Sequence, residues 1–289
     1  MLPINCSNHS HSVLQADSTP KVCRAHSDSA SQAATAPLDN NQYYAIWSAW
    51  ENAVPQGGNE QRDIAVAKMQ DCLARNAYYL DLSNLNLSSL PNILPEQVTE
   101  LNLCKNQLSV LLLQLPENLQ RLHALNNNLT SLPETLPTNL LLLSLYNNKL
   151  ESLPENLPTN LCKLYLSKNF LKKFPEHLPE SITMLDISDN QMEGDIGNLP
   201  DSLDHLKLNN NKLANFPDSL PNSIHWCDLS YNQLQTLPEH VFSITKNTEI
   251  SVIGNPLSES TFLKLRNINK DPNYQGPKFI YSEASYKDI

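Results

Sequence analysis

From Leu80 onward the chain repeats one 21-residue phrase, and no other feature constrains its fold so tightly. Units open at Leu80, Leu101, Leu122, Leu143, Leu164, Leu185, Leu206 and Cys227. The clearest copy carries Leu143, Leu145, Asn148, Leu150, Leu153, Pro154, Leu157, Pro158 and Leu161. The eighth unit takes 23 residues, and a partial ninth follows as Ile250, Val252, Asn255 and Leu257. Such a period describes stacked units, none of which can bury its apolar face without its neighbours.

Each slot has a physical reading. Slots 1 and 3 alternate to one side of a short strand, so period 2 turns them inward. Asn fills slot 6 at Asn106, Asn127, Asn148, Asn169, Asn190, Asn211, Asn232 and Asn255. An amide has two donors and an acceptor oxygen, enough to satisfy buried backbone groups of adjacent turns, so these residues read as structural. Leu85 takes this slot in the first unit, where no earlier turn needs bonding. Proline at slots 12 and 16 fixes φ and holds the preceding residue extended, which leaves no room for a long helix. The predicted fold is therefore a leucine-rich-repeat solenoid. A curved parallel β-sheet lines its concave face, an extended, polyproline-like convex side lies opposite, and an α-helical cap precedes the first turn. Irregular outer segments are expected at Leu111–Leu113 and at Glu193–Gly197, where the Leu-Pro pattern lapses.

Composition excludes several alternatives. Of 289 residues 49 are Leu and 20 Pro, yet only 6 are Gly, with no Gly-x-Gly, which removes dinucleotide and phosphate loops. No apolar run approaches the length of a membrane span. Thirty acidic against 20 basic side chains give a net charge of −10, the wrong sign for a nucleic-acid binder. The 6 cysteines form no C-x-x-C pair, so neither a zinc knuckle nor a disulfide framework follows, and reduced thiols are expected. Among 8 histidines no H-E-x-x-H occurs, and no metal or other cofactor is expected.

Four segments follow. Residues 1–38 are Ser-, Ala- and His-bearing without apolar periodicity or a Sec-type apolar core, and read as disordered. Residues 39–78 read as a two-helix cap, with Tyr43, Ile46, Trp47 and Trp50 on one helix. The second starts near Asn59 and carries Ala65, Met69, Cys72 and Leu73. Residues 79–257 hold the repeats, and 258–289 a C-terminal cap and tail with a helix at about Glu259–Asn269.

The outward slots 21, 2 and 4 stack into columns across nine strands, a sheet about 38 Å long at ~4.8 Å per strand. Leu125, Leu142, Tyr146, Tyr165 and Met184 bring apolar groups to this face without structural need. Arg121, Lys163, Lys207 and Asp186 supply charge around them, and His123, His205 and Trp226 complete the candidate contact set. These twelve residues are the expected protein-binding site; no catalytic set accompanies them.

The repeat with its double Leu-Pro, the cap Tyr43–Trp50, and the run from Gly254 to Ser258 followed by Asp271–Pro277 together resemble the LPX effectors. That family, which includes YopM, IpaH and SlrP, consists of leucine-rich proteins injected into host cells by type III secretion. The start Met1–Asn5 is similar to IpaH-type N-termini. The resemblance covers roughly residues 41–281. It implies that residues 1–38 are an uncleaved signal read by the type III apparatus and its secretion chaperone. It also implies a working place in the host cytoplasm, with the host nucleus as an alternative, and a host protein as partner. Many relatives carry a further ubiquitin-ligase domain with a nucleophilic Cys in a Cys-x-Asp motif, and this chain ends about where that domain would begin. Cys227-Asp228 spells the motif inside a repeat, at an inward slot, so the expectation is a virulence protein that is not an enzyme. The alternative is the substrate-recognition part of an E3 ubiquitin ligase whose catalytic domain is missing from this chain.

Overall fold

A computed structural model describes residues 38–53, 58–112 and 114–282. Residues 1–37, on which the expected secretion signal falls, lie outside the described residues, as do residues 54–57, 113 and 283–289. The repeats form one parallel sheet in chain order. Its strands are β1 (Tyr79–Asp81), β2 (Glu100–Asn102), β3 (Arg121–His123), β4 (Leu142–Ser144) and β5 (Lys163–Tyr165). They continue as β6 (Met184–Asp186), β7 (His205–Lys207), β8 (Trp226–Asp228), β9 (Glu249–Ser251) and β10 (Lys278–Ile280). The register advances one unit per strand, as Leu143↔Leu164 and Leu164↔Leu185 show. The tenth strand falls within the segment read as cap and tail. Phe279 is buried and pairs with Ile250, continuing slot 1 without the rest of the repeat.

The inward slots pack as the alternation requires. Leu122, Leu143, Leu164, Leu185, Leu206 and Cys227 of slot 1 and Leu145, Leu166, Ile187 and Leu208 of slot 3 are all 0% exposed. At about 2 kcal/mol per buried Leu, these columns dominate the stability of the array. Slot 6 supplies the polar counterpart. Asn169 donates to the carbonyls of Leu145 and Leu166, while its oxygen accepts from the Leu150 N–H of the turn before.

Slot 5 holds a feature the repeat pattern did not announce. Asn84, Lys105, Asn126, Asn147, Lys168, Asp189, Asn210 and Tyr231 all adopt left-handed backbone, with φ between +52° and +57°. The ninth turn places Gly254 there at φ +69°. This residue turns the chain off the strand while its N–H still reaches the next turn, as Lys105 does to the Leu125 carbonyl.

Among the described residues the convex arcs of the first seven turns contain no helix. The eighth unit, two residues longer, accommodates one 3-10 turn at Glu239–Ser243. In the lapsed sixth arc Gly194 takes φ +81°.

The cap consists of α1 (Asn40–Asn52) and α2 (Arg62–Ala74). Asp39 and Gln42 form a capping box at the start of α1. Trp47 is fully buried, and its indole N–H donates to the Ile93 carbonyl at 2.9 Å. Helix α2 begins at Arg62 rather than near Asn59, because Gln61 and Glu60 are pinned elsewhere. Gln61 N–H donates to the Leu85 carbonyl at 2.9 Å, and Glu60 pairs with the buried Arg62 at 2.8 Å. Burial would raise the Glu60 carboxyl, but bonds from Arg62 and Ser88 outweigh it and hold the group below its ordinary value. Lys68 donates to the Asp81 carbonyl at 2.9 Å, covering the free edge of β1. At the other end α3 (Glu259–Ile268) buries Thr261 and Leu265 under the last turn.

Candidate functional site

Short strands with outward slots on either side of buried Leu leave one continuous concave face. The register carries Arg121, Leu142, Lys163, Met184, His205 and Trp226 in one column from β3 to β8. His123, Tyr165, Asp186 and Lys207 lie in the column beside it. Leu125 and Tyr146 follow their strands at slot 4. The twelve expected contact residues therefore share one surface.

Their exposure separates them. Arg121 and Lys163 are exposed; Leu125, Leu142, Tyr146, Tyr165, Met184, His205, Lys207 and Trp226 are half-buried. Asp186 is different, at 5% exposure. Its carboxylate accepts from the Ser188 N–H at 3.1 Å and the Ser188 hydroxyl at 2.6 Å. Burial pushes its pKa up, against these bonds and the charge of Lys207. Asp186 is thus a support of the strand end rather than a rim charge. The sequence carried the signal in the recurring Asp-x-Ser of Asp81/Ser83, Asp186/Ser188 and Asp228/Ser230, since all three aspartates accept from the serine N–H two residues on.

On the N-terminal side Glu100 lies 3.7 Å from both Arg121 and His123. Burial holds the His123 pKa below its ordinary value, with Glu100 opposing. In the centre, burial and then the Asp186 charge push the Tyr165 hydroxyl up to about 12, so it stays a neutral donor. Lys168, which the column argument did not include, sits with its ammonium 5.2 Å from the Tyr146 ring centroid. Toward β8, Asp204 bridges His205, at 3.1 Å, and His225.

Cys227 is free and 0% exposed. Burial and the adjacent Asp228 charge drive its thiol pKa far up, the reverse of what a nucleophile needs. Cys72 is likewise free and buried, and Cys104 is buried. Among the described residues no three His, Cys, Asp or Glu side chains group as metal ligands.

Residues 4–67 match the family described as type III secretion system leucine rich repeat protein. The fold is shared with the leucine-rich-repeat domain of a Shigella effector at 30% identity and TM-score 0.67, over 86% of this chain and all of that one. This chain belongs to the type III secretion leucine-rich-repeat effectors. Within that effector family, YopM of Yersinia pestis is 52% identical over 54 residues, 19% of this chain and 13% of YopM. The solved YopM structure aligns at 37% identity and TM-score 0.69, over 75% of this chain and 61% of that one. The E3 ubiquitin-protein ligase ipaH9.8 of Shigella flexneri is 46% identical over 61 residues, 21% of this chain but 11% of the ligase. The matched segments thus span small fractions of the curated effectors.

Proposed function

We propose that this effector binds a host protein through the concave face of its repeats, after type III secretion directed by its first 38 residues. One observation carries the reading. Leu125, Leu142, Tyr146, Tyr165 and Met184 lie on adjacent turns, half-buried at the centre of a face whose other outward slots, Tyr79, Cys104 and Trp226 apart, are mostly polar or charged. Clustered Tyr, Leu and Met is the composition of an interface core, and an apolar patch on a rigid scaffold marks a protein contact more often than chance exposure. The host cytoplasm is the working compartment, no cofactor is needed, and the chain acts by binding rather than by catalysis.

The test is capture from host lysate by wild type and by a triple variant, Leu142→Glu, Tyr146→Glu and Met184→Glu. The triple variant is expected to lose the captured protein while keeping the urea midpoint of the solenoid. Retained capture would remove the concave face from the reading. A second reading is favoured by the ligase relatives: the repeats select a substrate for ubiquitin transfer by a catalytic domain outside this chain. A thioester assay with ubiquitin and a charged carrier enzyme separates the two, because the binding reading expects no adduct on this chain.

A further inference from the structure

The last strand is fastened differently from those before it. Turns two to nine are each tied to the turn before by a slot-6 Asn, as Asn255 ties the ninth through the Leu234 N–H and the Leu229 carbonyl. Counted from Phe279 at slot 1, slot 6 falls in the sequence on Ala284, whose side chain can neither donate nor accept. What holds β10 is its pairing with β9 and two ring contacts. Lys278 N–H donates to the Thr248 carbonyl at 2.9 Å, and Val252 N–H to the Ile280 carbonyl at 2.8 Å. The Phe279 ring lies 5.3 Å from that of Phe242, and Tyr281 meets Phe262 of α3 edge-on at 5.5 Å. The Lys278–Glu249 ion pair is exposed, and such pairs add little.

The segment leading into β10 carries a cost of its own. Among the described residues, the Tyr274 hydroxyl is the one buried side-chain polar atom without a hydrogen-bond partner. Burial pushes its pKa up to about 12. The hydroxyl is pressed against Gly276, where a Cβ would run into both it and the Phe242 carbonyl. Opening returns this hydroxyl to water, which offsets part of what the opening loses. Residues 270–273, just upstream, are all exposed, so they can swing without uncovering core of their own.

We propose that residues 274–282 form a strap that opens as one unit while the rest of the solenoid stays folded. The closed strap covers Ile250 and packs on Phe242; the open one presents both, together with an unpaired β9 backbone. The strap thereby gates whether this end of the array shows apolar surface, independently of what the concave face binds. Local opening of this kind belongs to elements with few buried contacts and one paired edge, which describes β10 and none of the strands from β2 to β9.

Amide hydrogen exchange on the full chain, read residue by residue, tests this. The Val252 and Lys278 N–H groups report on the strap, because each donates across its boundary with the ninth turn. Those of Leu145 and Leu166, bonded to the Tyr165 and Asp186 carbonyls, report on the array. In wild type, Val252 and Lys278 are expected to show one common protection, at least tenfold below that of Leu145 and Leu166. Tyr274→Phe deletes the orphan hydroxyl and should raise strap protection roughly tenfold. Gly276→Ala should lower it at least tenfold, and neither variant should move Leu145 or Leu166. Strap protection equal to that of the array, unequal protection at Val252 and Lys278, or no response to Tyr274→Phe overturns the proposal. A Gly276→Ala chain that loses protection at Leu145 as well shows that the strap does not open alone, and overturns it too.

Discussion

The amide oxygen of Asn148 accepts from the backbone N–H of Leu129 at 3.0 Å, one full turn earlier in the solenoid. The same side chain donates to the carbonyls of Ala124 at 2.9 Å and Leu145 at 3.0 Å. A single buried residue thereby satisfies backbone groups of two turns, which is why slot 6 admits neither Asp, lacking donors, nor a shorter side chain. Asn148→Ala strands the buried Leu129 N–H, while the Ala124 and Leu145 carbonyls keep bonds from Asn127 and Asn169, and should lower stability by about 1–3 kcal/mol. Urea unfolding would show a lower midpoint. A loss under 1 kcal/mol would mean that water replaces the amide.

Slot 5 makes the opposite prediction, that a substitution stabilises. Lys105 holds φ +57°, and its side chain is exposed. A left-handed non-glycine residue costs roughly 1–2 kcal/mol, while glycine gives up part of that gain to chain entropy. Lys105→Gly should therefore raise stability by roughly 0.5–1 kcal/mol, and Lys105→Val, β-branched at positive φ, should lower it. Thermal melts of the pair decide between a strained and a relaxed turn.

The contrast between these two slots shows what the sequence could reveal. Slot 6 was legible because one residue type recurs and only an amide meets its demands. Slot 5 was not, because Asn, Lys, Asp and Tyr all occupy it, and the constraint acts on φ rather than on chemistry. The same distinction applies to the concave face. Period 2 placed all twelve candidate residues on one surface, but could not tell an exposed Lys163 from a buried Asp186. That difference depends on local hydrogen bonding, which Asp-x-Ser encodes and column counting ignores. Strand β10 was missed because Lys278–Ile280 contributes one buried Phe279 without the flanking Leu and Asn.

Asp186 links this burial to pH. Its folded pKa is raised, so ionisation works against folding: the full contribution of the protonated form is present below the unfolded value of ~3.9 and is lost as pH rises through the folded value. Asparagine would keep the acceptor for Ser188 without the charge, as Asn102 does in the same slot, accepting from the Cys104 N–H at 3.1 Å. Asp186→Asn should therefore melt higher than wild type at pH 7, with the gap closing toward pH 3. Melts across that range check it. A variant destabilised at pH 7 would show that the carboxylate is favoured where it stands.

Cys227 offers the most direct check on the binding-only reading. Its sulfur fills an inward slot that leucine occupies in the seven preceding units, and its thiol is driven toward the neutral form by burial. Alkylation needs an exposed thiolate, so native protein at pH 8 should leave Cys227 unlabelled by iodoacetamide, and labelling should appear only above the urea midpoint. Peptide mass spectrometry reads this site by site. Cys227→Leu restores the consensus but adds two heavy atoms to a packed slot, and should leave the fold and ligand capture intact at a cost of about 1–3 kcal/mol. Rapid labelling of Cys227 in the folded chain would reopen the Cys-Asp pair as a nucleophile.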